Sequence, residues 1–209
     1  CGSGLVFPVP EDSIKCEPFE IPSHFPRICG MDYGWDHPTT AVWVAWDREA
    51  DIVYIYDTYG QRQEIPAVHA AAVNARPKWI PVVWPRDGRQ ADKGSGNPLA
   101  DQYRDLGVNM IKGDNRSWGG WFTNPPISGQ REGSGGISLE SGIMDLLERM
   151  KTGRLKIFST QPEIFEELRM YHRKEGRIVP FKDDLISAMR YAVLSLRLAR
   201  VHETQTRQY

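Results

Sequence analysis

The chain has 209 residues and 40% apolar content, enough to bury the core of one sizeable domain. Its 26 Lys and Arg residues nearly balance its 27 Asp and Glu residues, so no overall basic field favours a nucleic acid or a membrane surface as a partner. The three cysteines lack zinc-site or disulfide-scaffold spacing, and no apolar run approaches the roughly 20 residues of a membrane span. We therefore expect a soluble, cytosolic protein in which any contact with a polyanion is local.

The N-terminal segment is rich in proline. Residues 1–26 contain five prolines, too many for a helix or a central strand, and begin with CGSG, which is typical of an expression scar. We expect residues 1–26 to form a linker or an extended arm. Residues 27–200 are expected to form one domain, and residues 201–209 a C-terminal tail.

Three apolar runs follow one another after this segment, with only short polar turns between them. They predict strands at 27–32, 39–46 and 52–58. Strands in immediate succession favour an antiparallel meander. An Ala-rich helix over 64–74 then leads to a fourth strand at 80–84.

The rest of the chain alternates between helical and strand patterns, which favours parallel crossovers. The expected helices lie at 98–106, 139–150, 162–171 and 183–199, and the expected strands at 108–111 and 155–158. The stretch 112–136 lacks a helical period and predicts a functional loop or disorder. The predicted fold class is therefore α/β: a mixed sheet that starts antiparallel, continues with parallel strands and is flanked by helices.

Acidic residues lie at the ends of three predicted elements. Asp32 closes the first strand, Asp87 follows the fourth strand, and Asp183 and Asp184 open the last helix. Taken singly, each is better explained as a solvated strand end, a turn residue or a helix cap. Together they can converge on one point, where carboxylate oxygens suit Mg²⁺ or Mn²⁺. Two such ions about 4 Å apart can activate a water that attacks a phosphodiester.

The last helix distinguishes its two aspartates. At about 100° per residue, Asp184 lies at the border of the apolar face, whereas Asp183 points nearly away from it. We therefore expect Asp184 to be the metal ligand. Asp183 is the weaker ligand candidate and the better candidate for capping the helix.

Other polar residues near these aspartates are candidates for supporting roles. His37 follows Asp32 closely enough to assist the ligands or transfer a proton, although an ordinary loop histidine before Pro38 remains the simpler interpretation. Cations around Asp87 and in the long loop can contact phosphates or can simply be solvated. These candidates for DNA contact are Arg86, Arg89, Lys93, Lys112 and Arg116.

The segments MDYGWDHPTTAVW, WPRDG and DDLISAMRYA carry the aspartates in this order. The arrangement resembles the RNase H-like nucleases. More narrowly, it resembles the C-terminal nuclease domain of the large terminase subunits of tailed bacteriophages. The resemblance implies an endonuclease in which Asp32, Asp87 and Asp184 bind two Mg²⁺ or Mn²⁺ ions. The implied reaction is the cutting of concatemeric viral DNA during genome packaging.

The same resemblance implies the partners of the protein. They are double-stranded DNA, a terminase ATPase domain, the terminase small subunit and the portal of the procapsid. No membrane is implied as a partner, and the implied location is the cytoplasm of the infected bacterial host. Because no G-x-x-x-x-G-K-[ST] motif occurs in the chain, we expect no ATP site here.

Two other interpretations of the sequence stay open. A different RNase H-like nuclease, either a junction resolvase or an RNase H, would prefer branched DNA or the RNA of a hybrid. A module that docks on DNA or on the portal without catalysis would bind but not cut, whichever metal is present.

Overall fold

A computed structural model describes residues 4–85, 98–111 and 135–202 of the chain. In chain order the strands are β1 (Gly4–Leu5), β2 (Lys15–Cys16), β3 (Arg27–Asp32), β4 (Thr39–Asp47), β5 (Ile52–Gln61), β6 (Val82–Val83), β7 (Leu155–Phe158), β8 (His172–Lys174) and β9 (Arg177–Ile178). The helices are α1 (Glu11–Ile14), α2 (Pro66–Asn74), α3 (Leu99–Asp105), α4 (Gly135–Lys151), α5 (Pro162–Met170) and α6 (Asp184–Leu194), followed by a 3-10 turn at Leu196–Leu198.

The central sheet has six strands in the order β2-β7-β5-β4-β3-β6. Strands β3, β4 and β5 form an antiparallel meander. Strand β6 pairs parallel to β3, β7 pairs parallel to β5, and β2 pairs parallel to β7. The predicted mixed sheet, antiparallel first and then parallel, is therefore confirmed.

Helices cover both faces of this sheet. Residues Val42 and Val44 of β4 belong to a hydrophobic cluster that includes α4, α5 and α6, whereas Ala41 and Trp43 belong to a second cluster with α2 and α3. Successive side chains of a strand point to opposite faces, so β4 is buried on both sides. This double burial explains why β4 is a continuous apolar run rather than an alternating one.

The N-terminal segment differs from the expected linker. Strand β2 adds to the edge of the central sheet beside β7, and β1 pairs with β8 in a separate three-stranded sheet. Val6, Phe7 and Ile14 are buried in the cluster on the α6 face. The prolines exclude long helices from this segment, but its apolar side chains still attach it to the core.

Four other elements differ from the sequence prediction. The expected strand at 108–111 is reduced to one bridge, in which the Asn109 carbonyl and the Ile111 N–H pair with Val82. The Val108 and Met110 N–H groups bond instead to the nearby carbonyls of Tyr103 and Val108. Helix α6 ends at Leu194, although Leu196 remains buried beyond it, so apolar spacing alone does not locate the helix end. Strands β8 and β9 are two or three residues long and carry no apolar pattern. Within the described ranges, no helix is both long and apolar enough to cross a membrane.

Candidate metal-binding site

The position of α6 depends on Gly30 of β3. A Cβ atom at this residue would lie 2.1 Å from the carbonyl oxygen of Ala188 and 2.9 Å from the backbone nitrogen of Ala192. Only glycine therefore lets the helix backbone lie directly on the strand backbone. This contact brings the first turn of α6 to the end of β3, where Asp32 lies.

Asp32 and Asp184 lie at the same edge of the sheet, linked through Thr40. Asp32 is directly opposite Thr40 in the β3–β4 register, and the Thr40 hydroxyl donates a 2.9 Å hydrogen bond to the backbone carbonyl of Asp184. Directly opposite residues of an antiparallel pair share one face of the sheet. The Asp32 side chain is therefore on the face that α6 covers, beside Asp184.

The loop between β3 and β4 is closed by Thr39. Its hydroxyl donates to the Gly34 carbonyl at 2.9 Å and accepts from the Gly34 N–H at 3.1 Å. A Cβ atom at Gly34 would lie 2.3 Å from the His37 carbonyl oxygen, so the turn is too tight for any other residue. The loop presents His37 to solvent close to the first turn of α6.

Asp183 and Asp184 are half-buried, and burial raises the pKa of both carboxyl groups above the ordinary aspartate value. The positive charge of His37 opposes this shift at both residues, and that of Arg62 opposes it at Asp184. Across the described part of the chain, neither carboxylate has a Lys or Arg partner within ion-pair distance. Half-buried carboxylates without a cationic partner fit a divalent cation.

The expected cap by Asp183 is wrong. Helix α6 begins at Asp184, and Asp183 occupies the cap position without a capping hydrogen bond from its side chain. The Oε2 atom of Glu167 on α5 accepts the Ile186 N–H at 3.1 Å instead. Burial raises the pKa of Glu167 to about 8, hydrogen bonds from the Ile186 and Leu185 N–H groups oppose the rise, and the two aspartate charges add to it.

Two arginines near the site were not among the predicted residues. Arg62 directly follows β5, which ends at Gln61, three residues beyond its predicted end. Gln61 is opposite Thr39, so extending the predicted strand to Gln61 would have placed Arg62 next to the site edge. Arg190 of α6 is only 8% exposed, lies 4.8 Å from the Tyr191 ring, and its charge opposes the raised pKa of Asp183. In the sequence, the available signal for Arg190 was an arginine among the apolar residues of the last helix.

The structure brings Asp32, Asp183, Asp184 and His37 to one edge of the sheet. The remaining predicted site residues lie outside the described residues: Asp87, Arg86, Arg89, Lys93, Lys112 and Arg116. In the ranges that the structure describes, no three His, Cys, Asp or Glu side chains are grouped closely enough to hold a metal ion. The described residues thus include only part of the predicted ligand set, and the metal-binding role of that set stays a prediction.

Comparison with known proteins identifies close relatives. A family model described as terminase RNaseH-like domain matches residues 29–196. The large terminase subunit of Salmonella phage P22 is 42% identical over 202 residues, which is 96% of this chain but 37% of that protein. The chain therefore spans little more than a third of the length of this relative.

Solved structures agree with this result. The nuclease domain of the P22 large terminase matches with a TM-score of 0.80 and 40% identity, and the match covers 96% of each chain. The nuclease domain of the large terminase from bacteriophage SPP1, solved with bound Mn, matches with a TM-score of 0.61 at 17% identity, over 88% of this chain and 97% of that one. The second match shows a shared fold.

Proposed function

The chain belongs to the terminase RNase H-like domain family, and from that membership we propose that it is a divalent-metal-dependent endonuclease acting on concatemeric viral DNA during genome packaging. One observation carries the proposal. Thr40 links the Asp32 position to the first turn of α6, so Asp32 and Asp184 share one face and one edge of the sheet. This is the placement that a shared metal site requires.

In this proposal Asp32, Asp87 and Asp184 hold two Mg²⁺ or Mn²⁺ ions, with Asp183 as a weaker candidate. Ions bound there supply the charge that activates a water and stabilises the leaving oxygen of the phosphodiester. The half-buried state of Asp184 and the absence of a described ion-pair partner support this role. The Mn bound to the SPP1 nuclease domain, which has the same fold, also supports it.

The chain's own residues orient the substrate. Arg86, Arg89, Lys93, Lys112 and Arg116 are proposed to contact phosphates on either side of the cut. His37 and Arg62 lie close enough to Asp184 to influence its ionisation, so both can hold a phosphate at the edge of the site. Only His37 can also assist a proton transfer there, because a guanidinium keeps its proton.

The partners are proposed from the relatives. Double-stranded DNA is the substrate, and a terminase ATPase domain, the small subunit and the portal are the protein partners, in the cytoplasm of the infected host. The ATPase domain fits the length of the P22 relative, of which this chain covers 37%. ATP hydrolysis is assigned to that domain.

The proposal is tested by incubating the chain with supercoiled plasmid in Mg²⁺, Mn²⁺ or EDTA. We expect nicking and linearisation with either metal and none in EDTA. Asp145→Ala serves as a control because it removes an exposed carboxylate from α4, a helix that carries none of the proposed ligands. Cleavage restricted to branched DNA or to RNA in a hybrid would identify a resolvase or an RNase H, and binding without cleavage would identify a docking module.

Metal binding has a second readout that does not need cleavage. A ligand present at about 100 times its dissociation constant stabilises the folded state by about 2.7 kcal/mol. We expect Mn²⁺ at that excess to raise the melting temperature of the wild-type chain and of Asp145→Ala by the same amount. No such shift is expected in Asp184→Ala.

A further inference from the structure

The first turn of α6 is capped by a residue from a different helix. The first N–H groups of a helix have no partner within the helix, so another group must accept them. Asp183 has the side-chain type and the position for this role but makes no capping hydrogen bond. Glu167 of α5 accepts the Ile186 N–H at 3.1 Å.

The carboxyl group of Glu167 is held in place by the core. Its neighbours on α5, Ile164 and Leu168, are buried in the same hydrophobic cluster as Leu185 and Ile186 of α6. The two helices are therefore fixed relative to each other on both sides of the hydrogen bond. A carboxyl group held in this way determines where the first turn of α6 lies.

The cap also decides what the neighbouring aspartates can do. A capping aspartate directs its carboxylate toward N–H groups of its own helix, where it cannot reach outward. Because Glu167 accepts an N–H of this turn, capping does not use the carboxylate of Asp183. The carboxylates of Asp183 and Asp184 can then both be directed at the sheet edge.

We propose that Glu167 is a positioning residue of the metal site: by capping α6 from α5, it fixes the turn that carries Asp183 and Asp184. The inference rests on the proposed metal-dependent nuclease function. Groups that orient metal ligands without themselves binding the metal contribute about 10-fold to 100-fold to metal affinity or activity. Loss of the cap should therefore weaken Mn²⁺ binding and cleavage by about that factor while DNA binding in EDTA is unchanged.

The test compares three variants on α5. Glu167→Ala removes the acceptor, Glu167→Gln keeps an amide oxygen that can accept the Ile186 N–H, and Glu166→Ala removes an exposed carboxylate one residue away. For each we would measure Mn²⁺ affinity by calorimetry, plasmid cleavage, DNA affinity in EDTA, and amide hydrogen exchange at Leu185 and Ile186. The exchange measurement reports on the cap itself and does not depend on activity.

We expect Glu167→Ala to show faster exchange at Ile186 and weaker Mn²⁺ binding, Glu167→Gln to restore both, and Glu166→Ala to match wild type. Equal losses in the Ala and Gln variants would overturn the proposal, because the charge and not the cap would then matter. Unchanged exchange in the Ala variant would also overturn it. If the Ala variant does not fold, wild-type exchange and Mn²⁺ affinity in Glu167→Gln support the proposal, and a 10-fold loss there overturns it.

The proposed function fails in a different way. It fails if the wild-type chain neither binds Mn²⁺ nor cuts plasmid, and the positioning role then fails with it. If the wild-type chain is active and only the pattern among the variants departs from expectation, the positioning role alone is wrong.

Discussion

The two faces of the central sheet differ in whether a half-buried aspartate is paired with an arginine. On the α2 face, Asp57 accepts a 2.9 Å hydrogen bond from Arg76 Nε, and the same guanidinium lies 4.6 Å from the centre of the Trp43 ring. On the α6 face, Asp184 is also half-buried but has no such partner in the described part of the chain. Burial is similar at the two positions, so pairing distinguishes a structural carboxylate from one that can bind a cation.

The turn after β4 shows the same contrast. Asp51 lies 2.9 Å from Arg154 and 3.2 Å from Arg149. Burial acts to raise its pKa, but hydrogen bonds from Trp46 and Arg154 outweigh burial, and the pKa lies below the ordinary aspartate value. At Asp184 the balance is reversed. Arginines of the chain thus compensate the charges of Asp51 and Asp57. For Asp184, we propose that a metal ion has this role.

The largest expected effect comes from removing the aspartates that are proposed to bind the metal on the α6 face. Asp32→Ala and Asp184→Ala should each lower plasmid cleavage by more than about 100-fold, since losing a direct ligand should cost at least as much as losing a group behind it. In EDTA their melting temperatures should equal or exceed that of wild type, because like charges repel less. Cleavage near the wild-type rate would remove that aspartate from the site, and an apo variant melting well below wild type would make it structural.

A second variant disturbs the contact that creates the site edge. Gly30→Ala places a methyl group 2.1 Å from the Ala188 carbonyl oxygen. We expect a loss of about 1 to 3 kcal/mol in the free energy of unfolding, together with loss of cleavage as α6 moves from β3. Gly60→Ala is the matched control, because its Cβ would meet only Thr40 Cγ2 at an ordinary 3.5 Å. Urea unfolding checks both, and a Gly30→Ala chain as stable and active as wild type would refute the close approach.

The elements on the α6 face of the sheet were predictable where the sequence pattern depends on consecutive residues. Strand β3 has its predicted bounds, and the helix geometry placed Asp184 at the border of the buried face, because strand and helix periods depend on consecutive residues. The cap was not predictable, because Glu167 is on a different helix and no spacing rule connects it to Ile186. The attachment of Val6 and Phe7 to the core likewise depends on pairing with strands far along the chain.

The placement of the candidate metal-binding residues was predictable only in part. The positions of Asp32 and Asp184 follow from the ends of a strand and the start of a helix, and the structure brings both to one edge. Their link through Thr40 depends on strand register, which the sequence does not specify to the residue. The metal-binding roles of Asp32 and Asp184 stay predictions, as do the roles of Asp87 and of the cations around it, which lie outside the described ranges.

A smaller effect is expected on the α2 face, where Asp57 is paired with Arg76. Asp57→Ala removes the partner of Arg76, whose side chain and that of Asp57 are each roughly a third exposed or less. We expect a loss of about 1 kcal/mol of stability and no change in cleavage. A double-mutant cycle with Arg76→Ala should return most of this loss as coupling energy. A drop in cleavage comparable to that of Asp184→Ala would show that pairing does not separate the two classes of carboxylate.

The smallest expected effect concerns the protonation of a buried histidine on the α2 face. His69 is 2% exposed, its Nδ1 atom is 2.9 Å from the Tyr59 hydroxyl, and burial lowers its pKa below the ordinary histidine value. The unfolded chain therefore binds this proton more readily than the folded chain, so the contribution of His69 to stability is present above about pH 6.5 and is lost as the pH falls. Urea unfolding between pH 5 and pH 8 in EDTA measures this loss. His69→Gln should flatten the acid side of the profile, whereas His24→Gln, at an exposed histidine, should leave the profile unchanged. If both variants keep the wild-type slope, the acid sensitivity of the fold does not come from the buried imidazole.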